Sequence, residues 1–388
     1  MKVLYILDYG TVGGATHSFL EMVVALKQLG VQPIVCLGKI TDITKQLNES
    51  GIEYCHAGHR TALEPFQYKG VKWPLRLFKK ILRFYVKDCV ALHRMDKLDW
   101  SSIDLIHTNS ARNDIGCYLN KRYGIPHIMH IREFADADFD CIALRPNLIR
   151  MYNSYTTRFI SISDAVKKHW IQKGIQEDKM LTIYNGIDYS DITKSSDNDK
   201  ENGKLKMLIA GGVCLPKGQH IAVEAFKLLP EEVRRNLYLD IVGWSAKQYE
   251  DNLKLRLKEE LYKDHICFKG TVFDLHQQLG NYQIGLMCSR AEGFGRVTAE
   301  YMHAKLGVIA SDSGANPELI EDGVTGLLFN SGDAESLADC ILRLYNDRGL
   351  LVRLSRAAFE KARANYTKDL NAKQIYDMYM NVMSKRGG

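Results

Sequence analysis

The sequence predicts an α/β protein of two domains, each built on a parallel sheet, and three observations carry that prediction. Short apolar runs alternate with helical stretches from end to end, as βαβ units require. A polar stretch without a single hydrophobe, 194–203, interrupts the alternation near the middle of the chain, which then resumes. The length, 388 residues, suits two or three cores at about 150 residues per domain.

In the first half, strands are expected at 3–8, 33–37, 103–108, 127–131 and 159–162, with helices such as 18–29 and 111–122 between them. After the interruption the alternation restarts with runs at 206–210, 221–228, 237–242, 265–268, 284–288, 308–311 and 327–329. The stretch 371–383 reads as a helix with Ile375, Tyr379 and Val382 on one face, suited to packing back onto the first domain. The expected organisation is therefore domains at 1–193 and 204–370, with 371–388 returning toward the first.

With 46% hydrophobic and 25% charged residues the chain has an ordinary globular composition, which excludes disordered, collagen-like and polytopic membrane proteins. The net charge of +6 is not evenly spread. Residues 1–195 hold 26 basic and 20 acidic side chains, whereas 196–388 hold 26 of each. Residues 69–97 alone hold nine Lys/Arg against Asp88 and Asp96. So local an excess fits one anionic partner better than general nucleic-acid binding. Nine cysteines form no C-x-x-C pair, so reduced thiols are expected and a zinc site is not. The apolar run 3–7 is too short for a signal peptide, and no run is long enough to span a bilayer. A cytoplasmic protein, peripheral at the inner membrane face if its basic segment meets lipid, is the expectation.

Open parallel sheets bind ligands beyond the carboxyl ends of their strands, so the loops after strands are where chemistry is expected. The first such loop, Asp8-Tyr-Gly-Thr-Val-Gly-Gly-Ala-Thr-His17, runs into a helix, whose N-terminus favours an anion. It lacks the G-x-G-x-x-G spacing and reads equally as a glycine-rich turn. The second, Ala291-Glu-Gly-Phe-Gly-Arg-Val-Thr-Ala-Glu300, exposes main-chain N–H groups where a helix begins, a ready diphosphate cradle. Glu292 and Glu300 bracket that cradle, and carboxylates accept from vicinal hydroxyls, although Glu300 is also readable as a solvated helix residue. The third, Ala210-Gly-Gly-Val-Cys-Leu-Pro-Lys-Gly218, places Lys217 near a helix start as a phosphate cation or as an exposed turn lysine.

Taken together these motifs resemble the family 4 retaining glycosyltransferases of the GT-B fold, among them bacterial capsular and exopolysaccharide enzymes. The E-x7-E signature is Glu292 through Glu300. Phe268-Lys-Gly-Thr-Val272, Asp312-Ser-Gly-Ala-Asn-Pro-Glu-Leu-Ile320 and Asp322-Gly-Val-Thr-Gly-Leu-Leu328 flank it, and Gly13-Gly14, Ser161-Ile-Ser163 and Tyr184-Asn-Gly-Ile-Asp188 come from the first half. The resemblance implies two Rossmann-like domains facing each other across a cleft, the first binding the acceptor and the second a nucleotide sugar. It implies that Glu300 binds the ribose hydroxyls and Glu292 the donor sugar. Gly293, Phe294, Gly295, Arg296 and Val297 would line the diphosphate, with Lys217 as phosphate lysine and the Val272 backbone at the base. Gly13 and Gly14 would close over the diphosphate from the first domain, and His130 would stand at the donor sugar. No metal and no cofactor are implied. One departure stands out: where the family commonly has an arginine, this chain has Gly212, and Arg296, Arg132 and Arg290 are the candidate replacements.

The resemblance implies transfer of a sugar, with a UDP-sugar favoured, to a glycan or lipid-linked acceptor in cell-surface polysaccharide or glycolipid synthesis. A non-hydrolysing nucleotide-sugar epimerase and a non-catalytic nucleotide-sugar-binding homologue are the alternatives. Between Leu75 and Val90, at 100° per residue, Arg76, Lys79, Lys80, Arg83 and Lys87 form one stripe. Leu77, Phe78, Ile81, Leu82, Phe84, Tyr85 and Cys89 fill the opposite side, with Trp73 just before. Trp73, Arg76, Lys79, Lys80, Arg83 and Lys87 are candidate contacts to an anionic membrane, or the helix docks its apolar side on the sheet and leaves the cations in water.

Overall fold

The computed structural model describes residues 1–8, 13–66, 68, 70–197, 199, 203–257 and 262–385. The chain divides into two compact units, residues 1–186 with 368–388, and residues 187–367.

The first unit is built on a seven-stranded sheet of β1 (Lys2–Leu7), β2 (Gln32–Leu37), β3 (Glu53–His56), β5 (Leu105–Thr108), β6 (His127–Ile131), β8 (Arg158–Ser161) and β9 (Met180–Thr182). Its order is β3-β2-β1-β5-β6-β8-β9 and every pairing is parallel. Both faces are covered, as the near-continuous apolar runs demand. Val3, Tyr5 and Leu7 of β1 enter one core, and Leu4 and Ile6 the other. A separate antiparallel pair, β4 (Leu63–Pro65) with β7 (Cys141–Ala143), stands outside the sheet.

The second unit has six parallel strands: β10 (Leu205–Ala210), β11 (Leu237–Val242), β12 (Ile266–Gly270), β13 (Ile284–Met287), β14 (Gly307–Ser311) and β15 (Leu327–Phe329). They run in the order β12-β11-β10-β13-β14-β15. Strand order therefore reverses between β1 and β5 in one sheet and between β10 and β13 in the other. Those reversals open the crevices in which parallel sheets take ligands.

Four short strands had no periodicity to announce them. β3 is a polar edge strand, β4 ends in a proline, and β7 and β9 have three residues each. The apolar run at 221–228 is helical, inside Gln219–Leu228, where Ala222, Val223, Ala225 and Phe226 are buried. The polar stretch expected as a linker does not separate the units. The chain crosses at Gly186/Ile187, and 194–197 lies on the second unit. There Ser195 N–H donates to the Ala304 carbonyl at 2.8 Å, and Asp197 pairs with Arg356 at 2.9 Å. Polar composition marked exposure rather than freedom. Residues 198 and 200–202 of that stretch lie outside the described residues.

The helix Lys368–Ser384 belongs to the first unit and gives Ala372, Ile375, Met378, Tyr379 and Val382 to its core. Its buried polar anchor is Tyr379, whose hydroxyl lies 2.5 Å from His107 Nδ1 and donates to the Tyr5 hydroxyl at 3.3 Å. Tyr379→Phe leaves the His107 ring without this partner in a dry core. It should lower unfolding free energy by about 1–3 kcal/mol, as read by urea unfolding against the parent protein.

Candidate functional site

In the second unit three loops meet beyond the ends of β10, β13 and β14. Gly218 has φ +71°, and a Cβ there would collide with the Cys288 carbonyl, so only glycine lets the Lys217 loop lie against the loop after β13. Arg290 N–H then donates to the Pro216 carbonyl at 3.0 Å. On the other side Gly314, at φ +61°, leaves room for the Glu292 backbone, and Ala315 N–H donates to the Glu292 carbonyl at 2.8 Å. Ser311 Oγ donates to the Ser289 carbonyl at 2.7 Å, and Asn316 donates to Ser311 Oγ. The loop 288–295 is thus held from both flanks by backbone contacts.

This scaffold fixes the carboxylates. Lys217 Nζ lies 2.8 Å from Glu292 Oε2, which brings the expected phosphate cation and the first glutamate together. Gly295 caps the helix Arg296–His303, and its first turn, with Arg296 and Val297, opens beside them. Glu300 is buried on that helix rather than solvated. Its carboxylate takes Arg296 Nε at 2.8 Å and lies 3.3 Å from His276 Nε2. Burial works to raise its pKa, but the His276 hydrogen bond and the Arg296 charge outweigh it and hold the group below the usual range. An ionised carboxylate, a cation and a helix N-terminus within one crevice suit a ligand with hydroxyls and a phosphate.

Arg296, first among the candidate replacements for the arginine absent at Gly212, is engaged with Glu300. The space beside Gly212 is occupied by an aromatic: a Cβ there would stand 2.7 Å from the Trp244 ring. Trp244 follows β11 and is 61% exposed, and Phe273, directly after Val272, is 97% exposed. Neither aromatic was legible as a site residue, nor was His276, since isolated aromatics and histidines carry no spacing signal. Bulky side chains placed directly after strand ends were the available hint. Phe294 is buried edge-on against Tyr366. Asp274 precedes the helix Leu275–Gln278, and its side chain makes no capping bond.

In the first unit the loop between β1 and Gly13 lies outside the described residues at 9–12. Gly13 caps the helix Gly14–Gln28, its carbonyl accepting from Thr16 and His17 N–H at 3.0 Å. His130 on β6 is fully buried, with Nε2 unpartnered among the described residues. Burial, Arg132 and His107 hold it neutral, well below the usual histidine range. Its Nδ1 lies 3.4 Å from Arg132 Nη2. Asn109 and Asn185 fix that guanidinium at 2.8 and 2.7 Å. At the same sheet edge Asp8 accepts from Asn113, and Glu133 accepts from Ser110 at 2.7 Å. Burial pushes Asp8 up to about 6 and Glu133 up to about 7. Both carboxylates sit in stretches singled out for other residues, and only the fold shows them converging beyond β1 and β6.

Comparison with known proteins decides the family. Residues 12–191 match the Glycosyltransferase Family 4 family and residues 191–361 the Glycosyl transferases group 1 family. The chain belongs to these glycosyltransferases. It is similar to the lipopolysaccharide core biosynthesis mannosyltransferase LpcC of Rhizobium leguminosarum bv. viciae, at 32% identity over 45% of this chain and 50% of that one. A putative glycosyltransferase, EpsD of Bacillus subtilis, is 29% identical over 44% of this chain and 43% of its own. The chain spans about half the length of these curated relatives. Anabaena HepE, solved with UDP and glucose, superposes with a TM-score of 0.76 at 20% identity, over 98% of this chain and all of that one. The two parallel-sheet units are those of the GT-B fold.

The basic segment forms the helix Trp73–Met95, which docks through Phe84, Asp88, Ala91 and Met95. Asp88 pairs with Arg145 at 2.9 Å, and this buried contact sets the helix rotation. Of the apolar side chains expected to dock, Phe78, Leu82 and Cys89 are exposed instead. Leu75, Phe78, Leu82, Val86 and Val90, each more than 40% exposed, make an outward apolar stripe beside Arg76, Lys79, Arg83 and Lys87. Among the described residues no helix is long and apolar enough to cross a membrane.

The sequence holds three Asp-x-Asp triplets, at 136/138, 138/140 and 197/199, a spacing used for metal binding in other glycosyltransferases. Here Asp136 pairs with Lys173 at 2.5 Å and His169 at 2.8 Å, and Asp138 accepts from Phe134 N–H at 3.0 Å. Among the described residues no group of three metal-type ligands forms.

The raised pKa of Asp8 makes a signed prediction. Folded, the group titrates near 6; unfolded, near 3.8. The folded state therefore binds more protons across that window, and the contribution of Asp8 falls as pH rises through it. Asp8→Asn removes the dependence. The variant should gain on the parent by up to about 3 kcal/mol between pH 4 and pH 7, as read by urea unfolding at both.

Proposed function

We propose that this protein is a retaining, metal-independent glycosyltransferase that moves a sugar from a UDP-sugar to a glycan or lipid-linked acceptor in surface polysaccharide or glycolipid synthesis. The observation that carries the reading is the convergence of Lys217, Glu292, Glu300 and the helix start at Gly295 at the β10/β13 reversal. The UDP preference is drawn from the HepE relative, solved with UDP and glucose. Glu300 binds the ribose and Glu292 the sugar, with the Val272 backbone at the base. Trp244 and Phe273 add apolar surface on the nucleotide side.

The bond between the sugar C1 and the diphosphate oxygen breaks as the acceptor oxygen attacks the same face. The acceptor proton passes to the departing phosphate oxygen. Lys217 and the N–H groups at Gly295, Arg296 and Val297 stabilise the negative charge that grows there, which is where an enzyme gains most. His130 acts as a positioning residue through Arg132.

Release of the nucleoside diphosphate only when an acceptor is present distinguishes transfer from epimerisation and from non-catalytic binding. Lys217→Ala should lower kcat by about 100-fold or more, while EDTA leaves the rate unchanged. Glu300→Gln should weaken UDP binding by about tenfold, as measured by calorimetry. A thermal-shift panel of UDP, GDP and ADP sugars should show the largest rise with a UDP-sugar; a larger rise with GDP-mannose would overturn the base assignment.

A second reading rests on the outward stripe of the helix Trp73–Met95. Its apolar residues insert at the interface of an anionic membrane while Arg76, Lys79, Lys80, Arg83 and Lys87 meet the headgroups and Trp73 anchors one end. Cosedimentation with phosphatidylglycerol vesicles, but not with phosphatidylcholine, is the expected outcome. Phe78→Ser with Leu82→Ser should reduce it several-fold.

A further inference from the structure

Cys36 and Cys55 meet across two neighbouring strands of the first unit. The parallel pairing of β2 with β3 sets Cys36 opposite Cys55 in register. Register partners place their side chains on the same face of a sheet, and adjacent strands lie about 4.7–4.9 Å apart. That spacing falls inside the range of about 4.4–6.8 Å between the Cα atoms of a disulfide. Both cysteines are free thiols. Both belong to the core that Ala91 and Met95 of the helix Trp73–Met95 also enter.

The two thiols differ in access. Cys36 is fully buried on β2, whereas Cys55 is half-buried on β3, the outermost strand on that side of the sheet. A hydrogen bond from the Cys36 thiol lowers the pKa of Cys55, against the opposing effects of burial and the Glu53 charge. The same bond, together with burial, raises Cys36 well above the usual thiol range. Cys141, half-buried as well, is pushed by burial up to about 11. Oxidants are attacked by a thiolate rather than a thiol, so the accessible member of the pair is the reactive one. Its buried neighbour stands where a resolving thiol is needed.

We propose that Cys36 and Cys55 are a site of reversible oxidation, a dithiol that closes to a disulfide when the protein meets hydrogen peroxide. The Cys55 thiolate attacks one peroxide oxygen; the sulfur–oxygen bond forms, the oxygen–oxygen bond breaks and hydroxide leaves. The Cys36 sulfur then attacks the Cys55 sulfur, and the hydroxide displaced from the sulfenic acid takes the Cys36 proton as water. Counting the proton that Cys55 gave up, one peroxide becomes two waters and two thiols become one disulfide. Cys55 leaves one sulfur of that bond accessible, and accessible disulfides are the ones that thiol reductants readily reverse. The chemistry uses no nucleotide sugar, so the inference stands or falls apart from the transfer reaction.

The test treats the reduced full chain with hydrogen peroxide, blocks the remaining thiols with iodoacetamide and maps its peptides without reduction. A crosslink between the peptides that carry Cys36 and Cys55 should appear and should vanish with dithiothreitol. It should form about tenfold or more faster than Cys141 is oxidised. Cys36→Ala removes the resolving thiol, so dimedone should label Cys55 as a sulfenic acid about tenfold more in that variant than in the parent. Cys55→Ser should leave Cys36 reduced at the same peroxide concentration. Cys89→Ser removes an exposed thiol and should leave the crosslink unchanged. A pair that stays reduced while Cys89 or Cys141 is oxidised overturns the proposal, as does a crosslink from Cys55 to any other cysteine. The crosslink is read in the parent protein, so a variant that fails to fold leaves the test intact.

Discussion

The second unit depends on how closely its backbone loops approach one another beyond the β10/β13 reversal. At Gly218 and Gly314 the chain passes against the Cys288 carbonyl and the Glu292 backbone with no room for a side chain. Those contacts bring Lys217 to 2.8 Å from Glu292 and turn the loop after β13 into the start of the helix Arg296–His303. Without them the lysine, the carboxylates and the helix N-terminus would be features of separate loops. Crevice position comes from strand order, but crevice chemistry comes from this steric permission.

Burial then decides which of the assembled groups carry charge. Glu300 keeps its ionised form because His276 and Arg296 compensate for its loss of water. Asp8 and Glu133, with weaker compensation, are pushed toward neutrality, and His130 is held neutral. The same residue types thus have different acid–base behaviour in the two units. The difference follows from the partners that surround them once water has been removed.

Cationic side chains are distributed by a similar logic. A buried pair between Asp88 and Arg145 fixes how the helix Trp73–Met95 sits on the first unit. That rotation exposes Phe78 and Leu82 and turns Lys79, Lys80 and Arg83 toward Arg60, whose segment is far away in sequence. A helical wheel assigns the apolar side to the protein because burial is the ordinary fate of hydrophobes. It has no means of seeing that a charged residue at position 88 docks instead.

By itself the sequence determined the class of fold, most of the central strands and the E-x7-E signature. Those properties are written in local patterns: apolar runs of strand length, glycines before helices, and two glutamates eight positions apart. Position along the chain also made Lys217 and Glu292 candidates before their contact was known. Short strands such as β4 and β7 remained hidden, because only their pairing with each other defines them. The boundary near residue 186 was hidden for the opposite reason, since a conspicuously polar stretch lay nearby and was bound to the second unit. Trp244 beside Gly212, His276 beside Glu300, and the union of Arg60 with the basic helix were decided by tertiary structure alone. Each is a meeting of residues distant in sequence, and the free energy that sets it comes from desolvation and packing, which no local pattern records.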